Sequence, residues 1–178
     1  MTDSRSFLQK YAVHFGTYMG FYWILKFILF PLIFRIPFFQ LLFVALTLVV
    51  PFLGYYYVRM YRDKVRGGSI SFAGAAMFTA IMYLSASMLV SVAHYVYFQF
   101  IDQGFLVDSF THYWNRLMTE MPALLESQES VQMLVDVFRD ATPIDITLRL
   151  LFIDLFWGIV LLVPTSLMVM RNTNNTNS

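Results

Sequence analysis

Four long apolar runs, separated by short polar segments, dominate the pattern of the chain. An α-helix needs about 20 apolar residues to cross the roughly 30 Å hydrocarbon core of a bilayer, and each run reaches that length with few or no charges. The predicted transmembrane helices cover residues 11–34, 36–58, 71–100 and 148–170. The pattern therefore predicts an all-α integral membrane protein, with residues 1–178 forming one membrane domain.

The segment 101–147, between the third and fourth spans, is more polar but still periodic. Apolar residues recur there at helical spacing in two groups: Phe110, Tyr113, Trp114, Leu117 and Met121, then Val131, Leu134, Val135 and Phe138. This spacing predicts two short amphipathic helices. The stretch Thr142-Pro143-Ile144-Asp145 resembles a helix start, with threonine as N-cap, proline at the first position and an acid at the third.

Composition supports a membrane environment and excludes several kinds of site. The chain is 58% hydrophobic and only 13% charged, whereas soluble domains average about a quarter charged residues. It has no cysteine and three histidines, so disulfides, thiolate metal sites and cysteine nucleophiles are excluded. We expect no metal, no cofactor and no nucleic-acid partner, and the lipid bilayer as the main surrounding.

The distribution of charge predicts the orientation of the chain. The loop 59–70 contains Arg59, Arg62, Lys64 and Arg66 against a single acid, while the segment 101–147 contains eight acids against two arginines. Short loops rich in lysine and arginine stay on the cytoplasmic side of a membrane. Both termini and the basic loop are therefore predicted to face the cytoplasm, with the acidic segment in the periplasm. The basic cluster is then a topology anchor, and it could also dock anionic lipid or a cytoplasmic partner.

Two charged residues interrupt the spans, Lys26 in the first and Asp154 in the fourth. At 1.5 Å per residue both should lie at a similar depth below the periplasmic interface. An isolated charge inside a membrane costs about 3 kcal/mol, so opposite charges at one depth suggest an intramembrane ion pair. This pair could be structural or could form a proton- or ion-coupled site, or Lys26 could extend outward alone. His94 either joins these residues or lies at the interface.

The stretch GTYMG places Gly16 and Gly20 at a GxxxG spacing at the start of the first span. Small residues four apart let two helix backbones approach closely in a membrane. The motif predicts either helix packing within the chain or formation of a homo-oligomer.

The sequence YRDKVRGGSISFAGAA (Tyr61–Ala76), followed by an apolar run that ends in YVYFQFID (Tyr95–Asp102), resembles a family of small bacterial inner-membrane proteins. The family is catalogued as domain of unknown function 4199, and the resemblance implies a four-helix bundle in the inner membrane without implying an activity. The genes of that family often lie beside a gene for a polyprenyl-phosphate glycosyltransferase. The resemblance therefore implies a partner or anchor role beside such an enzyme, with Arg62, Lys64 and Arg66 facing the enzyme or a lipid phosphate.

The motifs of the sequence favour a binding protein over an enzyme. No nucleophile–base set, metal-ligand spacing or phosphate-binding glycine loop is present, and Gly67-Gly68 reads as a flexible turn. We therefore expect a non-enzymatic subunit, anchor or scaffold for a membrane-associated partner. The alternative is a small transporter or channel that uses Lys26 and Asp154, and a membrane-embedded lipid enzyme ranks third.

Overall fold

The computed structural model describes residues 2–120, 133, 136–137 and 139–171. Its helices are α1 (Thr2–Leu29), α2 (Pro37–Lys64), α3 (Phe72–Phe100), α4 (Phe105–Glu120) and α5 (Pro143–Val169), with a 3-10 helix, Pro31–Phe34, between α1 and α2. Four of them, α1, α2, α3 and α5, are long and apolar enough to cross a membrane. In these described ranges there is no β-strand, and the prediction of an all-α protein with four such helices is confirmed.

The helix bounds differ from the predicted spans mainly at the polar ends. Helix α1 begins at Thr2, well before residue 11, and α2 continues to Lys64. Residues 59–64 of the expected basic loop are therefore helical. Helix α4 lies in the segment 101–147, while the second short helix expected there, around Val131–Phe138, lies mostly outside the described residues.

Local sequence sets the turn between α2 and α3. Gly67 and Gly68 adopt positive φ angles of 66° and 87°, a conformation that glycine enters without steric cost. The Gly68 amide donates to the carbonyl of Arg62 at 2.9 Å, which closes the end of α2. Ser71 then caps α3, because its Oγ accepts from the Gly74 amide at 3.2 Å. The connection is consequently short and held at both ends.

Helix α5 begins as its sequence predicts. Thr142 is the N-cap, Pro143 occupies the first turn, and Thr142 and Asp145 form a reciprocal capping box. This arrangement satisfies amides that the first helical turn leaves without an intrahelical partner. The prediction of a helix start at Thr142–Asp145 is confirmed.

Helix α3 lies at the centre of the bundle, with α1 and α5 packed along it. Gly16 faces Met82 and Gly20 faces Ala86, so α1 and α3 run parallel. Helix α5 is antiparallel to α3, because Ile70 pairs with Arg171 at one end and Gly158 faces Tyr83 in the middle. We call the end that holds Lys64, Phe72 and Val169 the basic end, and the end that holds Leu29, Pro37, Phe100 and Pro143 the opposite end.

The interior is packed with aromatic and small side chains, and the outside is apolar. Tyr61 stacks on Phe78 with ring centroids 4.4 Å apart, and both residues are buried. By contrast, Leu41, Phe52 and Phe152 are 68–71% exposed. An exposed apolar surface of this extent has no favourable partner in water. A multi-pass membrane protein has such a surface because lipid covers it, and this explains the apolar composition of the chain.

Helix α4 is attached to the opposite end of the bundle. The Asp102 carboxylate, which is 6% exposed, accepts from the amides of Gly104 and Leu106 at 3.1 Å each and so caps the start of α4. The guanidinium of Arg35 lies 4.7 Å from the centroid of the Phe105 ring, within cation–π range. These contacts join α4 to the turn that connects α1 and α2.

Candidate functional site

The basic end gathers the four cationic residues singled out in the sequence, but the structure uses them differently. Arg59, Arg62 and Lys64 lie in the last turns of α2, and Arg66 follows in the turn to α3. Arg59, Lys64 and Arg66 are exposed, whereas Arg62 is only 9% exposed.

Arg62 acts inside the protein. Its Nη1 donates to the backbone carbonyl of Val169 at 2.9 Å, and its Nε donates to Asp63 at 2.7 Å. Val169 ends α5, where carbonyl groups lack intrahelical partners and the helix dipole attracts positive charge. Beside it, Ile70 and Arg171 exchange two backbone hydrogen bonds of 3.0 Å. The turn after α2 is therefore fastened to the end of α5, and we call this set of contacts the basic-end latch.

Two of the exposed cations, Arg59 and Lys64, border a groove on the outer side of α2. Tyr55, Tyr56, Met60 and Asp63 line the groove together with Arg59 and Lys64, and its volume is about 210 Å³. Asp63 lies between the cations and forms an ion pair of 3.5 Å with Arg59. Tyrosine beside lysine and arginine is typical of the headgroup level of a membrane. The groove thus presents positive charge and aromatic rings at the level where a lipid phosphate or an acidic protein surface would meet it.

Inside the bundle, Lys26 and Asp154 are neighbours without being in contact. Among the described residues, the ammonium of Lys26 and the carboxylate of Asp154 do not approach to within the 4.0 Å of an ion pair. They are near enough for each charge to exert a Coulombic effect on the other. The Lys26 ammonium lies 5.3 Å from the centroid of the Phe43 ring on α2. The direct pair expected from the sequence is therefore replaced by two charges that act across a gap.

His94 belongs to this interior group and not to the membrane interface. It is 5% exposed, its ring lies 4.3 Å from that of Phe27, and the Lys26 charge acts on it. Sequence reasoning left its position open because a histidine near a helix end suits both places. Packing against α1 decides it.

Tyr83 is a central residue that sequence reasoning did not identify. It is 2% exposed and stacks on Trp23 of α1 at 5.9 Å. Its Cβ faces Gly158 of α5, where an added methyl would lie at 3.0 Å, and its hydroxyl points at Gly54 of α2, where a methyl would collide with it. One side chain thus touches all three other spanning helices. The glycines in α2 and α5 were its only signal in the sequence.

Gly16 and Gly20 are both buried against α3. A Cβ at Gly16 would lie 2.6 Å from the carbonyl oxygen of Met82, and one at Gly20 would lie 2.9 Å from Leu89. The GxxxG face is therefore occupied within the chain. Packing between α1 and α3 accounts for the motif, and the expectation of a homo-oligomer receives no support from it.

Several buried polar atoms have no hydrogen-bond partner in the part of the chain that the structure describes. Those within the spanning helices are Trp23 Nε1, Tyr83 Oη, Ser87 Oγ, His94 Nδ1, Asp154 Oδ2 and Ser166 Oγ. Native proteins pair nearly all buried polar groups, so each of these atoms calls for a partner other than the described residues. Over the same residues, no three histidine or acidic side chains come together in a way that could hold a metal ion.

Comparison with known proteins gives a family and nothing narrower. Residues 14–171 match the model of a family described as "Protein of unknown function (DUF4199)". No curated protein and no solved structure matches the chain.

Proposed function

The chain belongs to the DUF4199 family of proteins of unknown function, and from that premise we propose that it is a non-enzymatic membrane subunit that anchors a membrane-associated protein partner through its basic end. The partner contacts Arg59 and Lys64 with an acidic surface. We further propose that the basic end faces the cytoplasm of a bacterium, that the four spanning helices lie in its inner membrane, and that both termini are cytoplasmic. The positive-inside rule supports this orientation.

The proposal rests on the different contacts that the cations of α2 make. Arg62 donates hydrogen bonds to Asp63 and to the end of α5, so these contacts hold the turn without Arg59 or Lys64. Arg59 remains on the outer side, with its side chain 55% exposed, and Lys64 lies beside it around the groove. A topology anchor needs only charge. A rigid helix end that presents cations and tyrosines around a groove is also suited to recognition.

Charge sets the chemistry of the partner. Cations near a membrane surface attract anionic groups by about 1 kcal/mol each. An acidic protein surface at the same level would meet both Arg59 and Lys64. A polyprenyl-phosphate glycosyltransferase is suggested as this partner by the resemblance to the family alone. No contact in the described residues bears on that choice.

Site-specific crosslinking in native membranes tests the proposal. A photoreactive residue in place of Tyr56, which lines the groove and is 56% exposed, should capture one defined protein at constant stoichiometry. The matched control is a probe at Arg116 of α4, whose side chain is 72% exposed at the opposite end. The double reversal Arg59→Glu and Lys64→Glu should lower the yield about tenfold or more, since two favourable charges become repulsive. Arg59→Lys with Lys64→Arg should retain capture.

A different outcome would reject the anchoring function. If the Tyr56 probe crosslinks only to lipid, and the protein is always purified alone in mild detergent, then the basic cluster serves orientation only.

A small transporter is the second candidate, and the polar interior favours it. Lys26, His94 and Asp154 place titratable groups on α1, α3 and α5 within the spanning region. Reconstituted liposomes that show ion or proton flux above protein-free vesicles, lost in Asp154→Asn, would support it. Equal flux in protein-containing and empty vesicles would eliminate it.

A further inference from the structure

Four residues with unpaired polar atoms, Tyr83, Ser87 and His94 on α3 and Asp154 on α5, lie in succession along the bundle and form a column of polar groups. Helices α3 and α5 are antiparallel and Tyr83 faces Gly158. Ser87, about one turn along α3, is therefore level with Asp154, about one turn back along α5. His94 lies about two turns beyond Ser87, toward the opposite end. The column thus runs from Tyr83 through Ser87 and Asp154 to His94.

Asp154 is the acidic member of this column. It lies about three turns after Pro143, or roughly 16 Å from the start of α5. Its Oδ2 is buried and accepts no hydrogen bond from the described residues. A buried carboxylate without a donor is costly, whereas the protonated acid loses its charge and gains a donor of its own. Asp154 therefore has a physical reason to hold a proton that a solvated aspartate lacks.

Lys26 keeps its charge for an independent reason. Its ammonium lies 5.3 Å from the centre of the Phe43 ring, and the face of an aromatic ring attracts a cation. This contact does not depend on Asp154. The positive charge therefore persists when Asp154 is neutral, and it favours the ionised carboxylate when the proton leaves. Asp154, and not Lys26, is the member of the two that gains and loses the proton.

His94 supplies a neutral polar group between Asp154 and the opposite end. Its Nδ1 has no hydrogen-bond partner among the described residues, and the ring is buried. A second positive charge beside Lys26 would be repelled, so the neutral imidazole is the favoured form. A neutral imidazole can accept a proton on one nitrogen and donate from the other, which suits a relay.

We infer that Asp154, His94 and Lys26 form a proton-binding site in the interior of the bundle, in which Asp154 is the group that exchanges the proton. The ligand is a single proton taken from the aqueous phase at the opposite end. An O–H bond forms at Oδ2 of Asp154, and the site passes from a neutral charge pair to a net charge of plus one. Release reverses the step. The site is separate from the cations of the basic end and does not require anchoring.

The surroundings of the site contain few other groups that titrate. The α2 stretch at this level, Phe43–Val50, has none. The titratable or charged residues on the other helices near this level are Tyr18 and Tyr22 on α1, Tyr83, Tyr95 and Tyr97 on α3, and the exposed Arg149 on α5. The Tyr22 hydroxyl is occupied, because it donates to the Leu46 carbonyl at 2.7 Å. Tyrosine and arginine do not change charge near neutral pH.

Infrared difference spectroscopy of the protein in lipid nanodiscs tests the inference directly. Lowering the pH should produce the carbonyl stretch of a protonated carboxylic acid in a dry environment, and Asp154→Asn should abolish that band. The matched control, Asp145→Asn, removes an exposed acid at the start of α5 and should leave the band in place. The site is measured at equilibrium, so the result does not depend on flux or on a partner.

Labelling with a hydrophobic carbodiimide, which attacks protonated carboxyls in membranes, provides the second readout. Modification of Asp154 should rise as the pH falls, with a midpoint that moves to higher pH in Lys26→Gln because the cation that favours the carboxylate is gone. Lys26→Arg should restore the original midpoint, which a purely structural role of Lys26 would not predict. Spectra that are identical in the wild type and Asp154→Asn at every pH would overturn the inference. So would equal midpoints in the wild type and Lys26→Gln.

Discussion

Replacing Gly16 by alanine tests whether α1 and α3 pack as closely as the structure shows. The added Cβ would lie 2.6 Å from the carbonyl oxygen of Met82 and 2.7 Å from the Cβ of Ser85. Atoms in favourable contact are about 3.5–4.0 Å apart. The carbonyl belongs to the backbone of α3, so no rotamer change relieves the overlap. The two helices must separate by roughly 1 Å instead, taking the ordinary contact distance as the target.

Two opposing terms set the magnitude of this effect. Forcing an extra carbon into a packed interface costs about 1–3 kcal/mol, while alanine is about 1 kcal/mol more favourable than glycine inside a helix. Because the overlap is with backbone, we take the upper part of the packing range, about 2–3 kcal/mol, and subtract the helix gain of about 1 kcal/mol; Gly16→Ala should then lower the free energy of unfolding by about 1–2 kcal/mol. The loss exceeds the propensity gain because α1 and α3 would part along their whole contact.

Two other glycines provide graded controls. At Gly20 the nearest atom is the Leu89 Cδ2, at 2.9 Å, and at Gly74 it is the Ile70 Cγ1, at 3.2 Å. Both belong to side chains that can rotate, but at Gly20 the Leu89 Cβ at 3.1 Å and the Ala86 carbonyl oxygen at 3.3 Å must also shift slightly. Gly20→Ala should therefore cost about 0–1 kcal/mol and Gly74→Ala nothing, since the overlap is relieved locally and the propensity gain remains.

Unfolding in mixed micelles with increasing dodecyl sulfate, followed by helical circular dichroism, measures this series. The expected order of stability places Gly74→Ala at or above the wild type, Gly20→Ala next and Gly16→Ala lowest. A Gly16→Ala protein as stable as Gly74→Ala would refute the close packing of α1 on α3. The GxxxG face would then be available to a second copy of the chain.

Three further predictions follow from single contacts. Arg62→Ala should lower the free energy of unfolding by about 1–3 kcal/mol, because it leaves a helix-terminal carbonyl unpaired. Arg59→Ala, at the exposed ion pair, should cost under about 1 kcal/mol. Equal losses of thermal stability in the two variants would contradict the basic-end latch. Tyr83→Phe should be close to neutral because the hydroxyl has no partner among the described residues, while Tyr83→Ala should cost about 3–5 kcal/mol through the lost ring; a large cost for phenylalanine in denaturation curves would reveal a bond to the hydroxyl. A double-mutant cycle of Lys26→Met and Asp154→Asn should give a coupling below about 1 kcal/mol, as expected for charges across a gap, and a coupling above about 2 kcal/mol would show direct contact.

The sequence determined the features that depend on neighbouring residues only. Apolar length is such a feature, and it located all four spanning helices because a bilayer imposes the same requirement on each helix separately. The start of α5 was also determined locally, since Thr142 and Asp145 satisfy amides within three residues of each other. The end of α2 was less accessible. Charged residues suggested a loop from residue 59, yet arginine and lysine are good helix formers and the helix continues to Lys64, before the turn at Gly67 and Gly68.

Only the tertiary structure decided which polar residues meet. Arg62 and Val169 are 107 residues apart, and no local pattern indicates that the guanidinium of one lies on the carbonyl of the other. The same holds for Tyr83, which is central only because glycines on two other helices leave room for its ring. Lys26 and Asp154 were matched by depth counted from predicted span ends, but α1 ends three residues after Lys26 and α5 begins eleven residues before Asp154. Depth is also only one coordinate. Rotation of each helix about its axis fixes the others, and that rotation is set by packing, which hydropathy along a single chain does not encode.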